Sequence, residues 1–360
     1  MGIMRIRFTN TYSLMATMVE VARRAGVSQT TVSRVLNEPG SAAFSEETRI
    51  RVQSAMNELG YRPHLGAQSL KSRKASQVGV LLENRPDVRF SHPLSWEFLL
   101  GINEGLEHSG CIMSLVRVTD VAKDGGLQAR ALRSQFLDGV IVVNHLPAEI
   151  EESVETLLPN CIWLDANVWK GERCIRRDER LAGEMAVEKM LELGYRRLIC
   201  SHSPLAWIAH YSVAERVDGI HAAARRAGIE VETYEWKGEE GPRFFTRLFP
   251  KLAPDVAVIS PNGYEAHDFM MAVATQTRLQ AGTDFAFACC DDSFHAGYVW
   301  HDISRVAFDR FGMGRSAADM MLHLLQNHGA DCPSQVVQSQ WIEGTTAVSR
   351  TNNRLPRRLT

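Results

Sequence analysis

With 360 residues, 45% hydrophobic and 23% charged, the chain has the composition of an ordinary soluble globular protein of roughly two to three domains, and no run of about 18 apolar residues offers a membrane span. Its formal net charge of −2 hides an asymmetry. Between Ala16 and Lys74 nine Lys and Arg outnumber five Asp and Glu, so that, with Arg5 and Arg7 ahead of them, residues 75–360 carry a net −8. A basic head on an acidic body suits a phosphate-binding domain joined to one that binds something else.

Residues 1–15 have neither the apolar core nor the small-residue cleavage site of a signal peptide, and they are expected to be a disordered extension, with Met15 an alternative start. Thr17, with Glu20 three residues on, forms a capping-box signature. Met18, Val21, Ala22 and Ala25 then repeat at helical spacing and give one apolar face. Gly26 stops this helix, Val27 plugs the corner, and Ser28 caps a second helix to Asn37. There Val32, Val35 and Leu36 point inward, which leaves Gln29, Thr30, Ser33 and Arg34 outward. Gln and Arg match the paired donors and acceptors of base edges, and Thr and Ser suit phosphates or a thymine methyl. A third helix begins at Ser45, with Glu46 and Glu47 at its positive end, and carries the stripe Val52, Ala55, Met56 and Leu59 up to Gly60 and Pro63.

The runs VARRAGVS, TVSRVLN and SEETRIRVQSAMNELGYRP, in this order, closely resemble the helix-turn-helix of the LacI/GalR family of transcription regulators. The resemblance implies a lambda-repressor-like head over residues 16–62, followed by a hinge over 63–76 that becomes helical on operator DNA. In the string AQSLK, Leu70 matches the leucine that wedges into the minor groove and Lys71 its basic neighbour. The bland alternative is a simple linker. An apolar wedge of that kind unstacks a base step and bends the duplex. The DNA-contacting set is then Thr17, Ser28, Gln29, Thr30, Ser33, Arg34, Asn37, Leu70 and Lys71.

Beyond Gln77, short apolar runs alternate with helical patterns. Strands are expected at Val78, Cys111, Gly139, Cys161, Arg197, Asp255 and Asp284, and helices over 96–108, 179–193, 213–227 and 265–280. This alternation argues an α/β body of parallel sheets covered by helices, with a gap near 173–180 dividing it into two halves. The resemblance implies a periplasmic-binding-protein-like core of two doubly wound subdomains, one about 77–175 and 308–336, the other about 176–307 and 337–350, before a tail over 351–360. Ligands of such folds sit at the carboxyl ends of strands, between the halves. Three positions carry over from the family's effector site: Arg216 in AERVDGI, Asn262 in ISPNGYEA and Asp291 in ACCDDS. Such a set suits a sugar or sugar acid. The alternative for Arg216 and Asp291 is an ion pair bridging the halves without ligand. Trp96, Trp207 and Trp300 lie near loops where a ring could stack on a sugar face, although packing is the commoner use of such a ring. The chain departs from the family at Trp300-His301-Asp302, where a Pro-rich turn is usual, at Glu343, where a basic residue is common, and in longer stretches at 87–91 and 207–211.

Two other classes compete. Gly312-Met313-Gly314-Arg315-Ser316-Ala317 fits a dinucleotide fingerprint, with Asp331 as ribose acid, but it stands late in the chain and not after a first strand. A solute receptor could use the same body, without need of the basic head. The expectation is therefore a cytoplasmic, homodimeric regulator of a pseudo-palindromic operator, without cofactor, metal site or catalytic residue, and with no tetramer-forming coiled coil in the tail. The seven scattered cysteines are expected to be reduced and mostly buried.

Overall fold

A computed structural model describes residues 16–37, 43–62, 76–83, 93–118, 137–146, 151, 154–156, 158, 160–203, 210–235, 244–292, 303–327 and 330–350. The chain divides into two compact units, residues 1–75 and 76–360.

The head holds α1 (Met18–Ala25), α2 (Gln29–Asn37) and α3 (Glu46–Leu59). Its ends are closed locally. The Thr17 hydroxyl accepts from the Glu20 amide at 3.3 Å, and the Thr17 amide donates to the Glu20 carboxylate at 2.6 Å. Gly26, at φ 68°, supplies the left-handed turn between α1 and α2 that a side chain would strain. Ser28 Oγ accepts from the Thr31 amide at 3.0 Å, and Ser45 caps α3 through the Thr48 amide at 3.3 Å. Val21, Ala22, Ala25, Val32, Val52, Ala55 and Met56 form the core, with Val35 and Leu36 half-buried beside it. Leu59 departs from its expected place on the stripe and is 37% exposed. The helix ends at Gly60, the Tyr61 amide turns back to the Met56 carbonyl at 2.9 Å, and Tyr61 packs on the core instead.

The body runs through β1 (Gln77–Glu83), α4 (Pro93–Glu107), β2 (Ile112–Val118), β3 (Gly139–Val143), β4 (Cys161–Leu164) and β5 (Cys174–Arg177). It continues with α5 (Glu179–Glu192), β6 (Arg197–His202), α6 (Tyr211–Arg226), β7 (Val231–Glu235), β8 (Val256–Ser260), α7 (Gly263–Gln276) and β9 (Ala286–Cys289). Last come β10 (Ser304–Ala307), α8 (Arg310–Gln326), β11 (Gln335–Val337) and β12 (Gln340–Ile342). The gap expected near 173–180 thus holds a strand, β5, of only four residues, too short and too charged to show as an apolar run.

Two sheets result, ordered β11-β5-β4-β3-β1-β2 and β12-β10-β9-β8-β6-β7. All pairings are parallel except that of β10 with β12. Strands β3, β4, β8 and β9 are buried throughout, as expected of strands covered on both faces. The chain passes between the sheets after β5, after β10 and after β11. In the first half α4 and α8 pack together over the face formed by Val78, Val80, Ile141 and Ile162. In the second, α5 and α6 cover Leu198, Cys200, Ala257 and Ile259, while α7 lies on the opposite face.

The fingerprint-like Gly312–Ala317 segment lies inside α8, and Gly314 is a contact point with α4: a Cβ there would stand 2.3 Å from the Phe98 carbonyl oxygen. Its glycine serves helix packing, and the turn from β10 into α8, Phe308-Asp309, carries none of the glycines that a pyrophosphate turn needs. No disulfide joins the cysteines, six of which are buried. Among the described residues no helix is long and apolar enough to cross a membrane, and no group of three or more His, Cys, Asp or Glu could hold a metal.

Candidate functional site

On the head, Thr17, Ser28, Gln29, Thr30 and Arg34 are exposed and Ser33 is half-buried. The packing of Val32, Val35 and Leu36 settles this, because it turns the opposite side of a nine-residue helix to solvent. Thr17 and Ser28 also spend their hydroxyls on the caps of α1 and α2. The Arg34 guanidinium stands 5.2 Å from the centre of the Phe44 ring, an aromatic partner the sequence reading did not identify. Such a stack narrows the rotamers of a long side chain. Leu70, Lys71, Trp207, Trp300 and the Asn37 side chain lie outside the described residues.

In the body, the carboxyl ends of the strands bring Arg216 and Asp291 together. Arg216 is 1% exposed. Its Nε and Nη2 donate to the two oxygens of Glu179 at 2.5 and 2.8 Å, and its Nη1 donates to the Pro261 carbonyl at 2.7 Å and to Asp291 at 3.0 Å. The other oxygen of Asp291 accepts from Arg310 at 2.7 Å, and Arg310 also reaches Asp292. The Arg216–Asp291 pair lies within the second half and does not bridge the halves, as the sequence alternative had it. Both residues stand on elements of one sheet layer, α6 and the end of β9. Two guanidiniums do bridge them: Arg310, at the start of α8 in the first half, through its bonds to Asp291 and Asp292, and Arg177, the last residue of β5. The latter donates through Nε to Asp165 at 3.0 Å, pairs through Nη2 with the second Asp165 oxygen at 2.9 Å, and meets Glu179 at 3.0 Å.

A second set of bonds ties the halves beside it. The Tyr211 hydroxyl donates to Asp165 at 2.7 Å, His210 Nε2 donates to the Asp165 carbonyl at 2.7 Å, and the Tyr211 amide donates to Asn167 at 2.9 Å. Asp165 and Asn167 follow β4 in the first half, whereas His210 and Tyr211 open α6 in the second. Arg176 covers this latch, 3.9 Å from the centre of the Tyr211 ring.

Asn262 caps α7 by accepting from the Tyr264 amide at 2.8 Å and lies next to the Pro261 carbonyl that holds Arg216. Trp96 is not drawn into this cluster: its ring is 60% exposed on α4. Its neighbour Ser95 turns inward instead and accepts from Asn144 at 3.0 Å, since successive helix residues point about 100° apart. Sequence reasoning missed Asp165, Arg177, Glu179, Tyr211 and Arg310. For Arg177 and Glu179 the available signal was the dense run of charges RRDER over residues 176–180, between Cys174-Ile175 and the apolar stripe of the next helix; Asp165, Tyr211 and Arg310 had no comparable signal.

Burial alone would push the Asp165 and Asp291 carboxyls up, but Arg177 beside the first and Arg216 and Arg310 beside the second outweigh it and hold both below the usual carboxylate range. Burial pushes the His210 ring down, so it stays neutral. All three then make the unfolded chain the better proton acceptor in acid. The stability contributed by His210 is complete above its unfolded value of about 6.5 and declines below it, and that of the two aspartates is complete above about pH 4 and is lost beneath it. Glu265, raised by burial, acts in the opposite sense. His210→Gln is therefore the informative comparison: thermal melts of the variant should show a smaller decline between about pH 7 and 5 than the wild type, the remainder coming from His221, whose ring burial also pushes down. An unaltered decline would mean that the ring is solvated.

Residues 17–64 match the family model described as bacterial regulatory proteins, lacI family, and residues 187–347 match that of a periplasmic binding protein-like domain. The ribose operon repressor of Escherichia coli K12 is 26% identical over 319 residues, 86% of this chain and 93% of that protein. The transcriptional regulator GalR of the same organism is 24% identical over 322 residues, 87% of this chain and 90% of that protein. Among solved structures, a Lac repressor dimer bound to operator and the anti-inducer ONPF superposes with a TM-score of 0.71 at 22% identity, covering 92% of this chain and 99% of that one. A complex of the regulator CelR with cellobiose gives a TM-score of 0.60 at 22% identity over the same shares.

Proposed function

We infer, for a chain that belongs to the lacI family of bacterial regulatory proteins, sequence-specific operator binding under the control of a small molecule held between the halves of its body. The outward face of α2 carries this reading: Gln29, Thr30 and Arg34 stand exposed at the start of a helix whose caps and core fix its orientation within the head. Two heads would lay this helix in successive major grooves of a pseudo-palindrome, with Leu70 and Lys71 at its centre. One relative is named a repressor of the ribose operon, and CelR is solved with cellobiose, which supports repression as the mode and a sugar as the effector. Arg216, Asn262 and Asp291 are the residues through which we expect it to be sensed, with Arg177 and Asp165 beside them. A homodimer is supported by apolar surface on the first half, where Ile112 and Leu115 on edge strand β2 are 42% and 55% exposed. We place this regulator in the cytoplasm, without enzymatic activity.

An effector with different affinity for the two arrangements of the halves shifts their populations, and the hinge transmits that shift to the heads. The Asp165–Tyr211–His210 latch is the contact such a ligand would strengthen or replace. Binding-site selection from random duplex, repeated with Arg34→Ala, tests the assignment. The wild type should enrich an inverted repeat, and the variant should lose about 1–3 kcal/mol of discrimination at one base pair of each half-site. An unchanged preference would remove α2 as the reading helix.

A further inference from the structure

Strands β6 and β8 end side by side, and the residues just beyond them carry two buried polar atoms that have no hydrogen-bond partner among the described residues. Glu265, in the first turn of α7, is 8% exposed. Its Oε1 accepts from the Ser203 amide at 2.9 Å and from the Ser203 hydroxyl, while its Oε2 has no partner. His202, the last residue of β6, is 4% exposed. Its Nδ1 donates to the Ser203 carbonyl at 2.6 Å, which leaves Nε2 facing no partner. The two side chains are close enough for the imidazole to act on the carboxyl, and burial raises that carboxyl's pKa.

Leaving such a group buried and unmet costs about 1–3 kcal/mol each, and two occur together at the strand ends that form the crevice edge of this fold. We propose that Glu265 and His202 form a polar subsite that receives a hydroxyl or amino group of the effector, so that the protein selects neutral or amino sugars over sugar acids. This rests on the reading of the crevice as a sugar site. The bare imidazole nitrogen takes a donor, and the carboxyl takes a donor when ionised or offers one when protonated. A sugar hydroxyl meets every one of these states. A ligand carboxylate brings only acceptors, into a crevice where Glu265 is itself a carboxyl and where Arg177, Arg216 and Arg310 are already engaged by Asp165, Glu179, Asp291 and Asp292. Arg177 Nη1, which has no hydrogen bond among the described residues, is served equally well by a hydroxyl oxygen.

The test is isothermal titration of the full-length dimer with ribose, galactose, cellobiose, glucosamine, gluconate and galacturonate, alongside operator affinity without sugar. Binding is expected among the first four and not with the two acids. Glu265→Ala and His202→Ala should each weaken the best sugar about tenfold, one hydrogen bond's loss, with sugar-free operator affinity unchanged. Glu265→Gln keeps the side chain's shape and serves if the alanine variant does not fold; it should weaken the same sugar by about threefold or more. Sugar acids binding as tightly as their neutral counterparts would overturn the proposal, as would variants that all retain wild-type affinity. The underlying reading fails in a different way: the wild type then binds operator and none of the six compounds, and the subsite is abandoned with it.

Discussion

Arg216→Ala is expected to cost the body about 3–5 kcal/mol, because it leaves two buried carboxylates without their main counter-charge. Glu179 is fully buried and receives both Nε and Nη2 of this arginine, and Asp291 receives Nη1. Arg177 remains 3.0 Å from Glu179 and Arg310 2.7 Å from Asp291, so the site would not be bare, but the Pro261 carbonyl would lose its donor. Urea denaturation followed by tryptophan fluorescence would measure the loss. A midpoint equal to the wild type's would mean that water reaches these groups. The double variant Arg216→Met with Glu179→Leu supplies the sharper check. Replacing a buried pair by apolar groups of similar volume is often neutral, so it should recover much of what the single change loses. Effector studies should therefore use Asp291→Asn, which keeps the shape, in place of an arginine deletion that unfolds the body it reports on.

Gly219→Ala is the second large effect, and its sign opposes helix propensity. In a solvent-exposed helix the same change stabilises by about 0.8–1 kcal/mol. Here a Cβ on Gly219 would stand 2.1 Å from the Arg180 carbonyl oxygen, and one on Gly183 would stand 2.1 Å from the Arg216 carbonyl oxygen. Helices α5 and α6 thus touch backbone to backbone, each through a glycine. The first half repeats the device: Gly101 in α4 faces the Phe311 carbonyl at 2.0 Å, and Gly314 in α8 faces that of Phe98. Because backbone cannot swing aside as a side chain can, the helices must separate, at a cost of about 3 kcal/mol or more. The α5–α6 contact also presses Arg216 onto Glu179 at the start of α5, so separation reaches the buried charge cluster. Far-ultraviolet melts of Gly219→Ala would read the cost, and a variant as stable as the wild type would show that the two helices pass further apart.

The head was legible almost residue by residue. Its caps at Thr17, Ser28 and Ser45, its stops at Gly26 and Gly60 and its inward Val32 all depend on neighbours three or four positions away, which are visible in the string itself. Strands β3, β4 and β8 were legible because full burial requires unbroken apolar runs. The short charged β5 was not, and Leu59 was misplaced because the turn after Gly60 substitutes Tyr61 for it. For Arg216, Asn262 and Asp291 the family resemblance supplied the positions but not what they touch.

The sequence by itself determined a basic helical head on an alternating α/β body, since helix caps, apolar periodicity and strand-length runs are interactions between near neighbours. Only the tertiary structure decided that Arg216 is shared between Glu179 and Asp291, that Arg177 joins the halves through Asp165, that Gly219 and Gly314 are helix contacts, and that Glu265 and His202 lie together unmet. Each of these joins residues at least 12 positions apart, most of them far more. A charge becomes costly or useful only once burial removes its water, and sheet order, not spacing along the chain, selects which charges are buried together.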